Sequence, residues 1–214
     1  GPNFDQFFLT FEVLGGSTNA FSEPATVAPA TPPDLPEAPV IGLRNFDEIN
    51  ATMAEVTDVS KEQVDVENVY LTVKQQLPST ENIEGFLSAH QMAISQMAIE
   101  YCSALVDDNG DTSRDVYFPG FFQPGLPPAS ADTAFDTAGK RDMIIVPLMT
   151  RVMNTNLTVQ PATADVTTEL DNLITKLTAC ATGPSPTCDT TQRTEEIVKA
   201  ACAATLGSAA MLLQ

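Results

Sequence analysis

The sequence contains no tryptophan, a single histidine and only 10 lysine or arginine residues among its 214 positions. Aspartate and glutamate number 28, so the formal net charge is −18 at pH 7. A surface of that sign repels the phosphate backbone of nucleic acids and anionic lipid head groups. The composition therefore predicts that neither nucleic acid nor a membrane surface is a partner.

The sequence also has no run of eighteen or more apolar residues, so it predicts no membrane insertion. No glycine-rich phosphate loop, G-x-S-x-G elbow or H-E-x-x-H motif occurs. A catalytic histidine normally has an orienting carboxylate and a nucleophile, and the sequence supplies no matched set around the single histidine. We therefore predict a protein that is not an enzyme and has no cofactor.

Four cysteines occur, and four cysteines allow three pairings. Cys180 and Cys188 flank ATGPSPT, a segment that cannot continue a helix and can turn the chain back on itself. This leaves Cys102 and Cys202, both in predicted helices, to close a loop of about 100 residues. On the chain-entropy model such a disulfide stabilises the fold by about 4 to 5 kcal/mol.

Two other interpretations of the cysteines stay open, namely buried free thiols and a zinc site. Zinc is the weaker of the two, because no C-x-x-C occurs and only one histidine is available. Disulfides persist in oxidising compartments, so the favoured interpretation predicts a secreted, periplasmic or cell-surface protein.

The first 21 residues are interpreted as a tag remnant followed by a β-strand. Gly1 and Pro2 are what a common tag-removing protease leaves behind. The segment FFLTFEV at 7–13 has the alternation of a half-buried strand, and we interpret it as the remnant of an upstream β-domain. A lone strand is expected to pair with a second copy, fold back on the rest of the chain or be disordered.

Residues 22–40 contain six prolines and no helical or strand period, so we predict an extended, semi-rigid linker. Residues 41–214 form the predicted helical domain. The fold class is all-α: a disulfide-stapled bundle of about six helices, preceded by the isolated strand and the proline-rich linker. The predicted helices cover 45–56, 66–77, the stretch from a Ser79–Thr80 cap to 106, 141–153, 164–180 and 191–214.

The third predicted helix has apolar residues over much of its circumference, which is typical of a central helix. One stripe consists of Ile83, Leu87, His90, Ile94, Met97, Tyr101 and Leu105. Four further apolar residues widen this stripe, namely Phe86, Met92, Ile99 and Val106.

The last predicted helix contains several small residues, at Ala201, Ala204, Gly207, Ser208 and Ala210. Small side chains let another helix approach closely, so we predict that this helix lies deep in the bundle. Pro147 is expected to kink its helix or to mark its start.

The segment DDNGDTSRD at 107–115 has the spacing of a calcium loop. The candidate oxygen ligands are Asp107, Asn109, Asp111 and Asp115, with Ser113 between the last two. The pattern departs from an EF-hand at Thr112, where glycine is required, and at Phe118, where a bidentate glutamate is required. The commoner alternative is a helix-terminating turn with solvated carboxylates.

The aromatic residues of the 107–130 loop, the single histidine and a pair of adjacent glutamates have simple structural explanations. The aromatic residues of the 107–130 loop, Tyr117, Phe118, Phe121 and Phe122, are predicted to pin it to the body, with an exposed recognition surface as the alternative. His90 is predicted to be buried and hydrogen-bonded to a neighbouring helix or loop, rather than to bind haem or copper. Glu195 and Glu196 are predicted to be exposed residues that complement the helix dipole.

The segments GLRNFDEINATMAEVT, VKQQLPSTENIEGFLSAHQMAISQMAIEYCSALV and IVKAACAATLGSAAMLLQ carry a resemblance to a protein class. Residues 41–214 resemble the C-terminal helical region of large, uncharacterised bacterial surface or secreted proteins. In that class an upstream laminin-G or concanavalin-like β-sandwich precedes the helical region. The resemblance implies that FDQFFLTFEVLGG is the closing strand of such a sandwich, and it supplies no catalytic motif.

The function predicted from the sequence is a non-enzymatic extracellular or cell-surface module that anchors or presents a neighbouring domain. Its predicted partners are other domains of the same larger protein or surface proteins, and self-association through the N-terminal strand is a further expectation. The first alternative is a module that binds calcium or a small ligand through the 107–122 loop. The second is an enzyme or electron-transfer protein with a cofactor inside the bundle.

Overall fold

The computed structural model describes residues 42–79, 85–107, 113–153, 160–179 and 189–212, apart from the side chain of Ala210. The predicted strand in 1–21 and the linker at 22–40 lie outside the described residues, so both stay predictions.

Within these ranges the protein is all-α, as predicted. In chain order the helices are α1 (Phe46–Thr57), α2 (Val64–Val73), α3 (Ser88–Val106), α4 (Ser113–Tyr117), α5 (Ala131–Ala134), α6 (Ala138–Val152), α7 (Thr163–Thr178), α8 (Thr191–Leu206) and α9 (Ala209–Leu212). A 3-10 turn, Lys74–Gln76, extends α2. Each of the six predicted helices corresponds to a helix of ten residues or more. The described residues contain isolated β-bridges near 119–126 but no strand.

The first helix begins where the sequence predicts. The Asn45 side chain accepts hydrogen bonds from the N–H groups of Asp47 and Glu48, at 3.1 and 3.2 Å. The Glu48 carboxylate accepts one in return from the Asn45 N–H at 2.8 Å, which completes a capping box. These bonds satisfy N–H groups that the helix itself leaves without partners. The predicted cap is confirmed.

Helix α3 lies at the centre of the described bundle, in contact with α1, α2 and α8, while α6, α7 and α8 pack against one another. The largest fully buried side chains come from all of these helices except α2, and include Ile49, Met53, Ile94, Met97, Tyr101, Leu105, Ile144, Leu148, Ile174 and Ile197. One continuous core therefore joins the helices, and its formation is the main driving force for folding.

Two details of the predicted central helix are wrong. The helix begins at Ser88 rather than at the Ser79–Thr80 cap. Met92 and Ile99, expected to widen the buried surface, are 62% and 55% exposed. The buried stripe at Ile94, Met97 and Tyr101 is confirmed, so α3 packs on fewer sides than its composition predicts.

The last helix is interrupted near its end. Helix α8 stops at Leu206, Gly207 follows, and α9 forms a separate turn at Ala209–Leu212. Ala201 is fully buried against the core, as expected for a small residue at a close helix contact, but Ala204 is exposed. The deep position of α8 is confirmed only along its Ala201 face.

Helix α6 contains Pro147 in its interior and begins at Ala138, so the proline does not mark its start. The Thr137 hydroxyl caps it by accepting from the Lys140 N–H at 3.4 Å. Ile144, Ile145 and Leu148 are buried on both sides of the proline, so the helix keeps its core-facing side across that position.

The aromatic segment after α4 packs onto the body, as predicted. Tyr117, Phe118 and Phe122 are buried, and the half-buried Phe121 ring stacks on Phe135 at 5.4 Å between centroids. Helix α4, with Tyr117 as its last residue, was not predicted, because five residues carry too little periodicity to recognise.

Candidate functional site

A disulfide between Cys102 of α3 and Cys202 of α8 joins two helices that are 100 residues apart in sequence. Both side chains are fully buried, and their Cα atoms are 5.8 Å apart, an ordinary separation for a disulfide. The predicted pairing of these two residues is confirmed. Cys180 and Cys188 lie outside the described residues, so their pairing stays a prediction.

Arg114 of α4 is buried, with its side chain 4% exposed. Its guanidinium Nη1 donates to the Glu195 carboxylate of α8 at 3.0 Å and to the Val106 carbonyl at 3.3 Å. The guanidinium also lies over the Phe122 ring, 5.0 Å from the centroid. A buried cation needs compensation of this kind, so the contacts fix α4 against α3 and α8.

The prediction that Glu195 and Glu196 complement the dipole at the helix start is wrong, because α8 begins at Thr191 and its first turn contains no acidic residue. The predicted exposure is confirmed for Glu196 only. Glu195 is one-quarter exposed and pairs with Arg114, so it does not simply face solvent at the helix start. Glu196 is half exposed and forms an ion pair with Arg193 at 3.3 Å. Successive helix residues point about 100° apart, which separates the two carboxylates into different surroundings.

The calcium interpretation is only partly covered by the described residues. Asp107 forms an ion pair with Lys199 of α8, and Asp115 lies 3.8 Å from Arg114 Nε. Asn109 and Asp111 lie outside the described residues. Within the part that the structure describes, no group of three or more histidine, cysteine or carboxylate side chains is placed to hold a metal ion. The calcium site stays a prediction.

The environment of His90 differs from the prediction. The histidine is half-buried in the first turn of α3, and its Nδ1 accepts the Leu87 N–H at 3.1 Å. The Phe86 ring packs edge-on against it, with centroids 5.7 Å apart. His90 therefore caps its own helix rather than bonding to a neighbouring one, because the helix begins only two residues before it.

All three tyrosines of the chain are buried. The Tyr70 hydroxyl donates to Asp47 at 2.6 Å, and the Tyr101 hydroxyl donates to the Asn50 side chain at 2.6 Å. Burial is the largest cause that raises the pKa of both groups, and the Asp47 hydrogen bond raises that of Tyr70 further. Burial also raises the pKa of Tyr117 to about 12, against the opposing charge of Arg151.

The surface depressions of the described body are open and mixed in character. One, of about 310 Å³, lies beside the aromatic segment and is lined by Phe121, Leu126, Pro127, Pro128, Lys140 and Met143, among others. The Lys140 ammonium at its edge already donates to the Thr133 carbonyl at 2.7 Å and to Asp136 at 3.0 Å. The polar side chains of its lining are those of Gln123, Thr133 and Lys140, and the charge of Lys140 is already paired with Asp136.

Arg114 is the residue of greatest structural importance that sequence reasoning missed. It lies inside the segment interpreted as a calcium loop, where an arginine among carboxylates is expected to be exposed to solvent. The one signal available was that α8 carries two adjacent glutamates while basic residues are scarce throughout the chain. Nothing in the sequence selects Arg114 as the partner across 81 positions.

No helix within the described ranges is long and apolar enough to cross a membrane. The chain matches no protein-family model, and comparison with curated proteins and with solved structures gives no match either.

Proposed function

We propose that residues 41–214 are a non-enzymatic interaction module of a larger secreted, periplasmic or cell-surface protein. In this role the helical body anchors or presents a neighbouring domain, for which the resemblance implies an upstream laminin-G or concanavalin-like β-sandwich. The partners are that domain and other surface proteins.

The observation that carries the proposal is the buried Cys102–Cys202 disulfide. Disulfides form and persist outside the reducing cytosol, so the pairing supports an oxidising compartment. A bond that closes a loop of this length restricts the unfolded chain strongly. Such stabilisation suits a domain that must stay folded outside the cell.

Two ion pairs support the same role. They are Arg114 with Glu195 and Lys199 with Asp107, and both join the α3–α4 region to α8. Three cross-links, one covalent and two ionic, therefore hold the same pair of regions together. This arrangement supports a body suited to carrying a neighbour, because α3 and α8 are joined covalently as well as by their packing.

The test uses the full chain produced in an oxidising compartment. Thiols are counted in the denatured but unreduced protein, and limited elastase digestion is followed by mass spectrometry. We expect no reactive thiol and a protected fragment that begins after the proline-rich segment. In reductant, the same body becomes susceptible to the protease, because reduction removes the main constraint on its unfolding.

Two results would count against the proposal. One is four reactive thiols in the freshly prepared protein. The other is digestion of the body at the same rate as residues 22–40, which would mean that residues 41–214 do not form an independently folded module.

A further inference from the structure

A shallow groove of about 360 Å³ runs between α2 and α3 on the surface of the body. Its apolar lining consists of Val69, Val73 and Ile99, and its polar lining of Asn68, Thr72, Gln96 and Glu100. Two packed helices with an apolar floor between them are the usual geometry for receiving a third amphipathic helix.

The exposed apolar face of α3 borders this groove. Ile99 lines it directly, and Met92 lies two turns earlier on the same face of α3. Both side chains are more than half exposed, so water is in contact with a larger apolar area than the groove floor alone.

The charge of the two helices is of one sign. Together α2 and α3 contain the carboxylates Asp65, Glu67 and Glu100 and neither lysine nor arginine. Burial raises the pKa of Glu100, and the nearby Asp65 and Asp107 raise it further, with only Lys199 acting in the opposite direction. An added cation at this position reduces the repulsion between these carboxylates further than Lys199 does.

We infer that the α2–α3 groove binds an amphipathic helix of a partner protein whose apolar face is flanked by lysine or arginine. The apolar side chains of that helix cover Ile99 and Val69, and its basic residues face Glu100 and Asp65. A second copy of this chain is a poorer occupant, because two molecules of charge −18 repel. The inference deepens the proposed interaction function, on which it rests, by naming a class of partner.

The test measures binding of a synthetic leucine–lysine helical peptide to the full chain by fluorescence anisotropy. The ionic strength is set to about 0.15 M, where exposed charges farther apart than about 8 Å are largely screened. A leucine–glutamate peptide of the same pattern serves as the probe control. Ile99→Gln is compared with Val146→Gln on α6, since the two residues are matched at 55% and 56% exposure.

We expect the lysine peptide to bind and the glutamate peptide not to bind. Ile99→Gln weakens binding about tenfold, as for a residue central to an interface, whereas Val146→Gln changes it less than about twofold. Glu100→Gln weakens it by a smaller factor and reduces its salt dependence. Circular dichroism of each variant stays unchanged, because Ile99 and Val146 are more than half exposed and Glu100→Gln keeps the size of a partly exposed side chain.

Equal effects of Ile99→Gln and Val146→Gln on peptide binding would overturn the inference. They would mean that the net negative charge of the protein alone attracts the lysine peptide. Absence of lysine-peptide binding would overturn it as well. Concentration-dependent dimerisation that Ile99→Gln abolishes would assign the groove to a second copy instead. None of these results changes the thiol count or the protease protection, so the proposed module function is tested separately.

Discussion

The Arg114 guanidinium lies 3.0 Å from the Glu195 carboxylate, and the arginine side chain is buried while that of glutamate is one-quarter exposed. Removal of the carboxylate takes away a close countercharge of a buried cation, whose other contacts include the Val106 carbonyl, the more distant Asp115 and the Phe122 ring. The pair is therefore worth more to stability than the other glutamate ion pair of the same helix.

Glu195→Gln is expected to lower the free energy of unfolding by about 2 kcal/mol, less than for a fully buried pair because of the partial exposure of Glu195. Glu196→Gln is the matched control, and its exposed ion pair with Arg193 predicts a loss below about 0.5 kcal/mol. Urea unfolding measures both. Equal losses in the two variants would contradict the structural role of Arg114.

The two cysteine pairs are expected to differ in their contribution to stability. Replacement of Cys102 and Cys202 together by serine lowers the free energy of unfolding by about 5 kcal/mol, and the same change at Cys180 and Cys188 by about half that, because the second loop is much shorter. Calorimetry of both double variants gives the comparison. A larger effect for the 180/188 pair would contradict the predicted pairing.

Stability at alkaline pH is expected to depend on the three tyrosines. A tyrosine ionises near pH 10 when unfolded, and folding raises the pKa of Tyr70, Tyr101 and Tyr117, the last to about 12. Their contribution is fully present below pH 10 and is lost as the pH rises towards 12, because unfolding then releases protons. Tyrosinate absorbance and circular dichroism are therefore expected to change together in that range. A full tyrosinate signal near pH 10 with helicity intact would contradict the burial.

Calcium is expected to leave the melting temperature unchanged relative to a chelator. Asp107 and Asp115 already lie next to Lys199 and Arg114, and a bound cation must replace these charges. Differential scanning calorimetry in calcium and in chelator makes the comparison. A calcium-dependent rise that Asp111→Asn removes would instead establish the calcium-binding alternative, by the linkage of ligand binding to stability.

Local features of the fold were predictable from the sequence. The helix positions follow from the spacing of apolar residues, and the Asn45 capping box joins residues only three positions apart. The Cys102–Cys202 pair was predicted because a proline-containing turn assigns the other two cysteines to each other. The packing of Tyr117, Phe118 and Phe122 follows from the large apolar area of aromatic side chains.

Other features were not predictable, because they depend on which other helices each helix packs against. Met92 and Ile99 belong to an apolar pattern indistinguishable from that of Ile94 and Met97, yet they lie at the surface. The start of α3 at Ser88 likewise places His90 in a capping position rather than in the core.

By itself the sequence determined that this protein folds into helices, where most of them lie, and that its charge is strongly negative. These properties arise from neighbouring residues and from composition. Only the tertiary structure decided that Arg114 pairs with Glu195 and which faces of α2 and α3 stay open. These contacts and exposed faces depend on the angles and positions at which helices far apart in sequence pack. Many such packing arrangements are compatible with the same spacing of apolar residues along each helix.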